Sequence, residues 1–143
     1  MAAMSTRLPC YCATLRQAAR VISQKYDAAV REARLTITQF TLLTALAEMA
    51  RPRVNDLAEA LAMDQTTLSR TLQLMKREGL IARTAGEDGR ESRWIVTAQG
   101  RARMKRALPR WLAAQREVEE ILGTEETQRL ASAAFNLSSR LAA

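Results

Sequence analysis

Residues Val54–Gly79, VNDLAEALAMDQTTLSRTLQLMKREG, decide how the chain folds. The stretch predicts a short helix, a tight turn and a longer helix. Asn55 suits an N-cap, and Leu57, Ala58 and Leu61 give the first helix an inward face. Ala62-Met63 make the turn. Asp64 follows where a carboxylate accepts from the amides of the next turn. Leu68, Leu72 and Met75 recur at helical spacing and share one face of the second helix. Gly79 supplies the backbone freedom that a helix end favours.

The opposite face displays Thr66, Ser69, Arg70 and Gln73, with Gln65 and Thr67 in the first turn. An ordinary surface helix is filled with Glu and Lys. Here the first acid after Asp64 is Glu78, and the face offers hydroxyls, amides and a guanidinium instead. Hydroxyls and amides bond to phosphates and base edges, and arginine reads guanine. The face is therefore a candidate DNA-reading surface. The competing reading is a plain polar face on a helical scaffold.

Downstream, Leu80–Thr84 predicts a short strand and Arg93–Val96 its return. Between them lies a charged, glycine-punctuated tip, Ala85-Gly86-Glu87-Asp88-Gly89-Arg90-Glu91. A helix-turn-helix followed at once by such a hairpin is a winged helix: mainly α, with a small β-hairpin wing. Arg90 on the tip suits a narrow minor groove, whose negative potential attracts arginine. Otherwise it is an exposed loop arginine. Thr97 caps a helix running to Leu122, with Pro109 either kinking it or dividing it into two segments. Its opening arginines face either DNA phosphate or solvent. Gly123 breaks that helix, and Thr124 caps a last one with Leu130, Phe135, Leu137 and Leu141 on its apolar face.

Upstream, Cys10–Arg34 reads as one long helix with Pro9 at its first turn and a stripe through Leu15, Ile22 and Tyr26. Thr38 is expected to cap a second helix, Gln39–Ala50, which is apolar almost all round and so belongs at the centre of the core. Residues 36–100 then form a winged helix-turn-helix DNA-binding domain. Residues 1–35 form an N-terminal dimerisation helix, and 101–143 the C-terminal dimerisation helices. The terminal helices carry more apolar surface than the small winged core can cover. That predicts a homodimer with these helices interlocked about a two-fold axis. Two reading helices would meet successive major grooves roughly 34 Å apart, so the expected DNA site is an inverted repeat.

Charge and composition narrow the function classes. The chain has 143 residues, a net charge of +7 and a pI near 10.4, which favours a polyanionic partner. Yet residues 36–100 hold eight basic and eight acidic residues. The surplus lies outside, six against two before residue 36 and eight against five after residue 100. Binding by the central module must rest on where its arginines point. Its zero net charge supports a second class of function, a winged-helix protein–protein adaptor without sequence-specific DNA binding. The absence of histidine removes the commonest general base and metal ligand. Cys10 and Cys12 cannot complete a zinc site alone, and they are too close for an easy disulfide if Cys12 is helical. With no glycine-rich phosphate loop either, an enzyme, a metal or a cofactor is not expected. The apolar runs are too short for a bilayer, and MAAMSTRLPCYC lacks the apolar block of a secretory signal. A cytoplasmic protein without membrane contact is expected.

The order of these elements resembles the MarR family of transcriptional regulators over nearly the whole chain. The resemblance rests on Leu35-Thr36-Ile37-Thr38-Gln39-Phe40-Thr41-Leu42-Leu43, on Leu57-Ala58-Glu59-Ala60-Leu61 leading into Asp64–Arg70, and on Glu78-Gly79-Leu80-Ile81. Asp88-Gly89-Arg90 followed by Val96-Thr97-Ala98-Gln99-Gly100 completes it, with Val96 where the family usually has leucine. The resemblance implies a homodimeric repressor on a palindromic operator. It implies that Thr66, Thr67, Ser69, Arg70 and Gln73 face the major groove and that Arg90 reaches the minor groove, held by Asp88. It also implies an effector cleft between the dimerisation helices and the winged domain, taking a small and in some members phenolic molecule. One branch of the family instead senses organic peroxides through a cysteine near the start of the first helix. Cys12 is similar in spacing, and Tyr26 matches one tyrosine that such sensors bond to it, while the second would fall at Ile37. A helix N-terminus favours a thiolate. A small apolar residue packed in the dimer interface explains Cys12 equally well.

Overall fold

The computed structural model describes residues 6–86 and 92–143. Its elements run α1 (Tyr11–Val30), a 3₁₀ turn (Arg31–Ala33), α2 (Ile37–Glu48), α3 (Val54–Leu61), α4 (Gln65–Arg77), β1 (Ile81–Ala85), β2 (Ser92–Val96), α5 (Ala98–Leu122) and α6 (Thr124–Ala142). The strands pair antiparallel, with Ile81 opposite Val96 and Ala85 opposite Ser92. The winged helix expected from the sequence is present, with β1 shifted one residue on and β2 beginning one residue earlier.

α2 is the centre of the core. Phe40, Leu42, Leu43 and Leu46 are buried in it, against Leu57 of α3, Leu68, Leu72 and Met75 of α4, and Trp94 of β2. Its start differs from expectation. The cap is Thr36, not Thr38: Thr36 Oγ1 accepts the Gln39 N–H and Gln39 Oε1 accepts the Thr36 N–H, each at 3.1 Å. This reciprocal box satisfies two otherwise orphaned donors, which a lone Thr38 cannot do. The buried Gln39 amide also donates to the Glu78 carboxylate at 3.1 Å, joining the start of α2 to the end of α4.

Three other helix ends depart from the sequence reading. The first helix stops at Val30, and the chain turns through a left-handed Arg34 at φ 57°. Arg103 of α5 donates to the Arg34 carbonyl at 3.2 Å, and Arg106 donates to the Glu32 carbonyl at 3.3 Å. The basic start of α5 thus meets backbone carbonyls of its own chain. α3 begins at Val54 with Arg53 as its cap residue, not Asn55. The Asp56 carboxylate reaches back to accept the Arg53 N–H at 2.9 Å, whereas an Asn55 cap would have accepted amides two or three residues further on. Gly123, at φ 88°, precedes α6 as its cap residue in place of Thr124.

Other punctuation is as expected. Gly79 takes φ 78°, and the Leu80 N–H donates to the Met75 carbonyl at 3.0 Å, closing α4. Thr97 caps α5 by accepting the Gly100 N–H at 3.0 Å, and α5 runs unbroken through Pro109. Gly100 is required there: a Cβ on it would stand 2.2 Å from the Leu80 carbonyl oxygen. The root of α5 therefore sits directly on the base of the wing. At the other end, α6 has no buried residue along its whole length.

Candidate nucleic-acid interface

α4 is held by its inward face and presents the outward one. Leu68, Leu72 and Met75 are each fully buried. Burying such side chains is worth about 1.5–3 kcal/mol each, so the helix is anchored without using its polar side. On that side Gln65, Thr66, Thr67, Arg70 and Gln73 are exposed and Ser69 is half-buried. All six residues expected from the sequence lie on one surface.

Their freedom differs. Thr67 is committed to the cap: its N–H donates to Asp64 at 2.9 Å and its hydroxyl donates to the same oxygen at 3.1 Å. These two bonds, the backbone one first, hold the Asp64 carboxyl below its ordinary range. Gln65, Thr66, Ser69, Arg70 and Gln73 make no side-chain hydrogen bond among the described residues. Donors and acceptors on a rigid helix without protein partners are what a groove reader needs. Asp88 and Arg90 lie outside the described residues.

Sequence reasoning missed a charged joint behind the wing. Asp56 pairs with the Arg53 guanidinium at 3.1 Å, and Arg93 of β2 approaches the same carboxylate at 3.9 Å. Arg93 also donates to the Arg51 carbonyl at 3.3 Å, while the Trp94 N–H donates to the Pro52 carbonyl at 3.3 Å. The Arg53 side-chain bond, chiefly, lowers the Asp56 carboxyl. The wing strand is thereby fixed to the start of α3. No periodicity signals this joint, because its members meet only once the hairpin folds back.

Cys10 and Cys12 are both exposed at the start of α1. Tyr26 lies fourteen residues beyond Cys12 on that helix, roughly 21 Å along its axis. Its hydroxyl donates to Gln115 of α5, and burial raises its pKa above the ordinary value. Within one chain the two residues are not brought together. Among the described residues no helix is long and apolar enough to cross a membrane, and no cluster of candidate metal ligands occurs.

Residues 35–91 match the sequence profile of the MarR family. An HTH-type transcriptional regulator of Bacillus cereus is 32% identical over 96 residues, which cover 67% of this chain and 64% of that relative. The aligned stretch thus spans just under two thirds of the relative. Among solved structures, the Mycobacterium tuberculosis transcriptional regulator MosR in complex with DNA is 36% identical, with a TM-score of 0.80 over 92% of this chain and 96% of that one. The Staphylococcus aureus MepR–DNA complex, at 21% identity, shares the fold with a TM-score of 0.77 over 92% of this chain and 98% of its own.

Proposed function

Since the chain belongs to the MarR family, we propose that it is a DNA-binding transcriptional regulator, acting as a homodimeric repressor on an inverted-repeat operator. The observation that carries this is the face of α4: exposed hydroxyls, amides and Arg70, with no side-chain hydrogen bond from Gln65, Thr66, Ser69, Arg70 or Gln73 among the described residues, on a helix anchored by its other side. In this reading Gln65, Thr66, Thr67, Ser69, Arg70 and Gln73 meet the major groove, and Arg90, positioned by Asp88, enters the minor groove. Residues 36–100 are the reading domain, and 1–35 and 101–143 the dimerisation segments. Fragments selected from the source genome by the purified protein provide the operator. On it, Arg70→Ala is expected to cost about 1–3 kcal/mol and to relax base preference. Unchanged affinity and specificity would overturn the assignment of α4. A protein–protein adaptor would show no salt-dependent affinity for duplex DNA.

The homodimer is supported by the apolar faces left uncovered on the terminal helices. Leu15 and Ile22 of α1, and Leu130, Phe135, Leu137 and Leu141 of α6, are all exposed in the single chain. At about 1.5–3 kcal/mol for each large side chain, covering them meets the cost of associating two chains. Sedimentation at micromolar concentration tests this, and a monomer there contradicts it.

Release from the operator is assigned to a small-molecule effector or to oxidation of Cys12. If Tyr26 assists Cys12, it must do so across the dimer interface, because the two are far apart within a chain. Organic hydroperoxide applied to the wild type and to Cys12→Ser separates the two triggers. Release in the wild type alone supports the cysteine, and an unaffected complex leaves the small molecule.

A further inference from the structure

A run of polar bonds joins the first helix to the reading helix. It starts in α1, where the Asp27 carboxylate accepts the Ile37 N–H at 2.7 Å. It continues through the capping box at the start of α2, where Thr36 and Gln39 exchange bonds at 3.1 Å. From there it crosses to α4, with Gln39 Nε2 donating to the Glu78 carboxylate at 3.1 Å. The start of α5 holds the same end of α4, because the Thr97 hydroxyl donates to the Gly79 carbonyl at 2.6 Å.

Gln39 is 7% exposed, and among the described residues it is the only buried one with an amide or charged side chain. A capping box accepts Glu or Gln at this position. Here only the amide fits. Its oxygen accepts the Thr36 N–H, so its NH2 group faces the Glu78 carboxylate. A glutamate would set two carboxylates together, and a lysine could not accept. If the end of α4 moved away, a buried donor would be left unpaired, which is costly. Leu68, Leu72 and Met75 hold α4 by apolar burial, which has no direction. The bond to Glu78 has one. α4 has 13 residues and is about 20 Å long. A turn of about ten degrees about its Glu78 end would carry Gln65 and Thr66 through roughly 3 Å, the length of a hydrogen bond.

We propose that Gln39 is a positioning residue for DNA reading. Through Glu78 it sets the angle of α4 against α1, and so the separation of the two reading helices, without touching DNA itself. Its effect at the operator rests on the homodimeric regulator reading above; the angle it sets does not.

Exchanging the two ends of the bond tests this. Gln39→Glu opposes two carboxylates. Gln39→Glu combined with Glu78→Gln restores the bond with donor and acceptor exchanged, and the new carboxylate still accepts the Thr36 N–H. Residual dipolar couplings of the α1 and α4 amides, measured on the full chain without DNA, report the angle between the helices. Gln39→Glu is expected to change that angle and the exchange to restore it. In gel shifts, Gln39→Glu is expected to weaken binding to the selected operator at least about tenfold. It is also expected to alter the preference among operators with half-sites one base pair closer or further apart, and the exchange to recover both properties. Duplex of mixed sequence demands no fixed spacing, so its affinity is expected to change less than about threefold. Should Gln39→Glu fail to fold, Glu78→Ala at the exposed end of the bond takes its place. An unchanged angle in the folded variant overturns the proposal, as does a changed angle with an unmoved spacing preference. A bond that only stabilises the fold would shift the denaturation midpoint and leave both where they were. If the wild type selects no operator while the angle shifts and recovers, the regulator reading falls and the seating of α4 by Gln39 stands.

Discussion

α4 and α6 are both amphipathic, and they meet opposite fates. The apolar side of α4 is filled by its own chain, with Leu68, Leu72 and Met75 fully buried. The apolar side of α6 is left largely open by the described residues of its own chain: none of its residues is buried, and Phe135 is 71% exposed. An apolar stripe marks a surface to be covered without saying by what. In α4 the stripe frees the polar face for recognition. In α6 the stripe is itself the surface that the proposed homodimer would cover.

The comparison can be broken at either helix. Leu72→Ala is expected to have the largest effect, lowering the stability of the folded chain by about 2–5 kcal/mol in chemical denaturation, because it leaves a cavity in a sealed interior. Phe135→Ala is expected to weaken the dimer by about 1.5–3 kcal/mol, seen as a shift in its concentration dependence by sedimentation, with the winged core unaffected. If it destabilised the core instead, the two helices would not differ as described. Arg90→Ala, on the wing, is expected to weaken operator binding by about 1–3 kcal/mol without altering either stability, as read by a gel shift across a salt titration.

The smallest effect is one of pH. Asp56 and Asp64 have folded-state pKa values below their ordinary 3.8, through bonds from Arg53 and Thr67 respectively. A lowered carboxyl pKa means that the folded chain favours the charged form. The contribution is therefore fully present above the ordinary value and is lost as pH falls through the folded one. Asp64→Asn should flatten the acid limb of the stability curve below about pH 4, and an unchanged limb would show that the cap bonds contribute nothing.

Legibility in the sequence followed the range of the interaction. The Asp64 cap, the Gly79 terminus, the Thr97 cap and both faces of α4 were readable because their partners lie within a turn or two. Thr36 was equally local, since Thr36-Ile37-Thr38-Gln39 spells out the capping box, but a second threonine inside it drew the boundary two residues late. Nothing local marks the end of α1. Arg31-Glu32-Ala33-Arg34 are good helix formers, and the chain leaves the helix where arginines of α5, about seventy residues on, take up its carbonyls. The Arg53–Asp56–Arg93 joint and the Gln39–Glu78 bond were hidden for the same reason: α2, the α2–α3 link, α4 and the hairpin must all be in place before these side chains meet.

Gly100 gives α5 a mechanical role. With no side chain to hold the two apart, the helix packs directly against the Leu80 carbonyl at the base of the wing, a contact that would couple its root to the hairpin. Its other end, about 37 Å away, adjoins α6 and the uncovered apolar surface. A rod of that length swung by about ten degrees carries its tip through roughly 6 Å. That is a substantial fraction of the roughly 34 Å repeat between major grooves. In the homodimeric regulator proposed above, a slight rocking at the seam between the two chains would reach the base pairs as a change of stride.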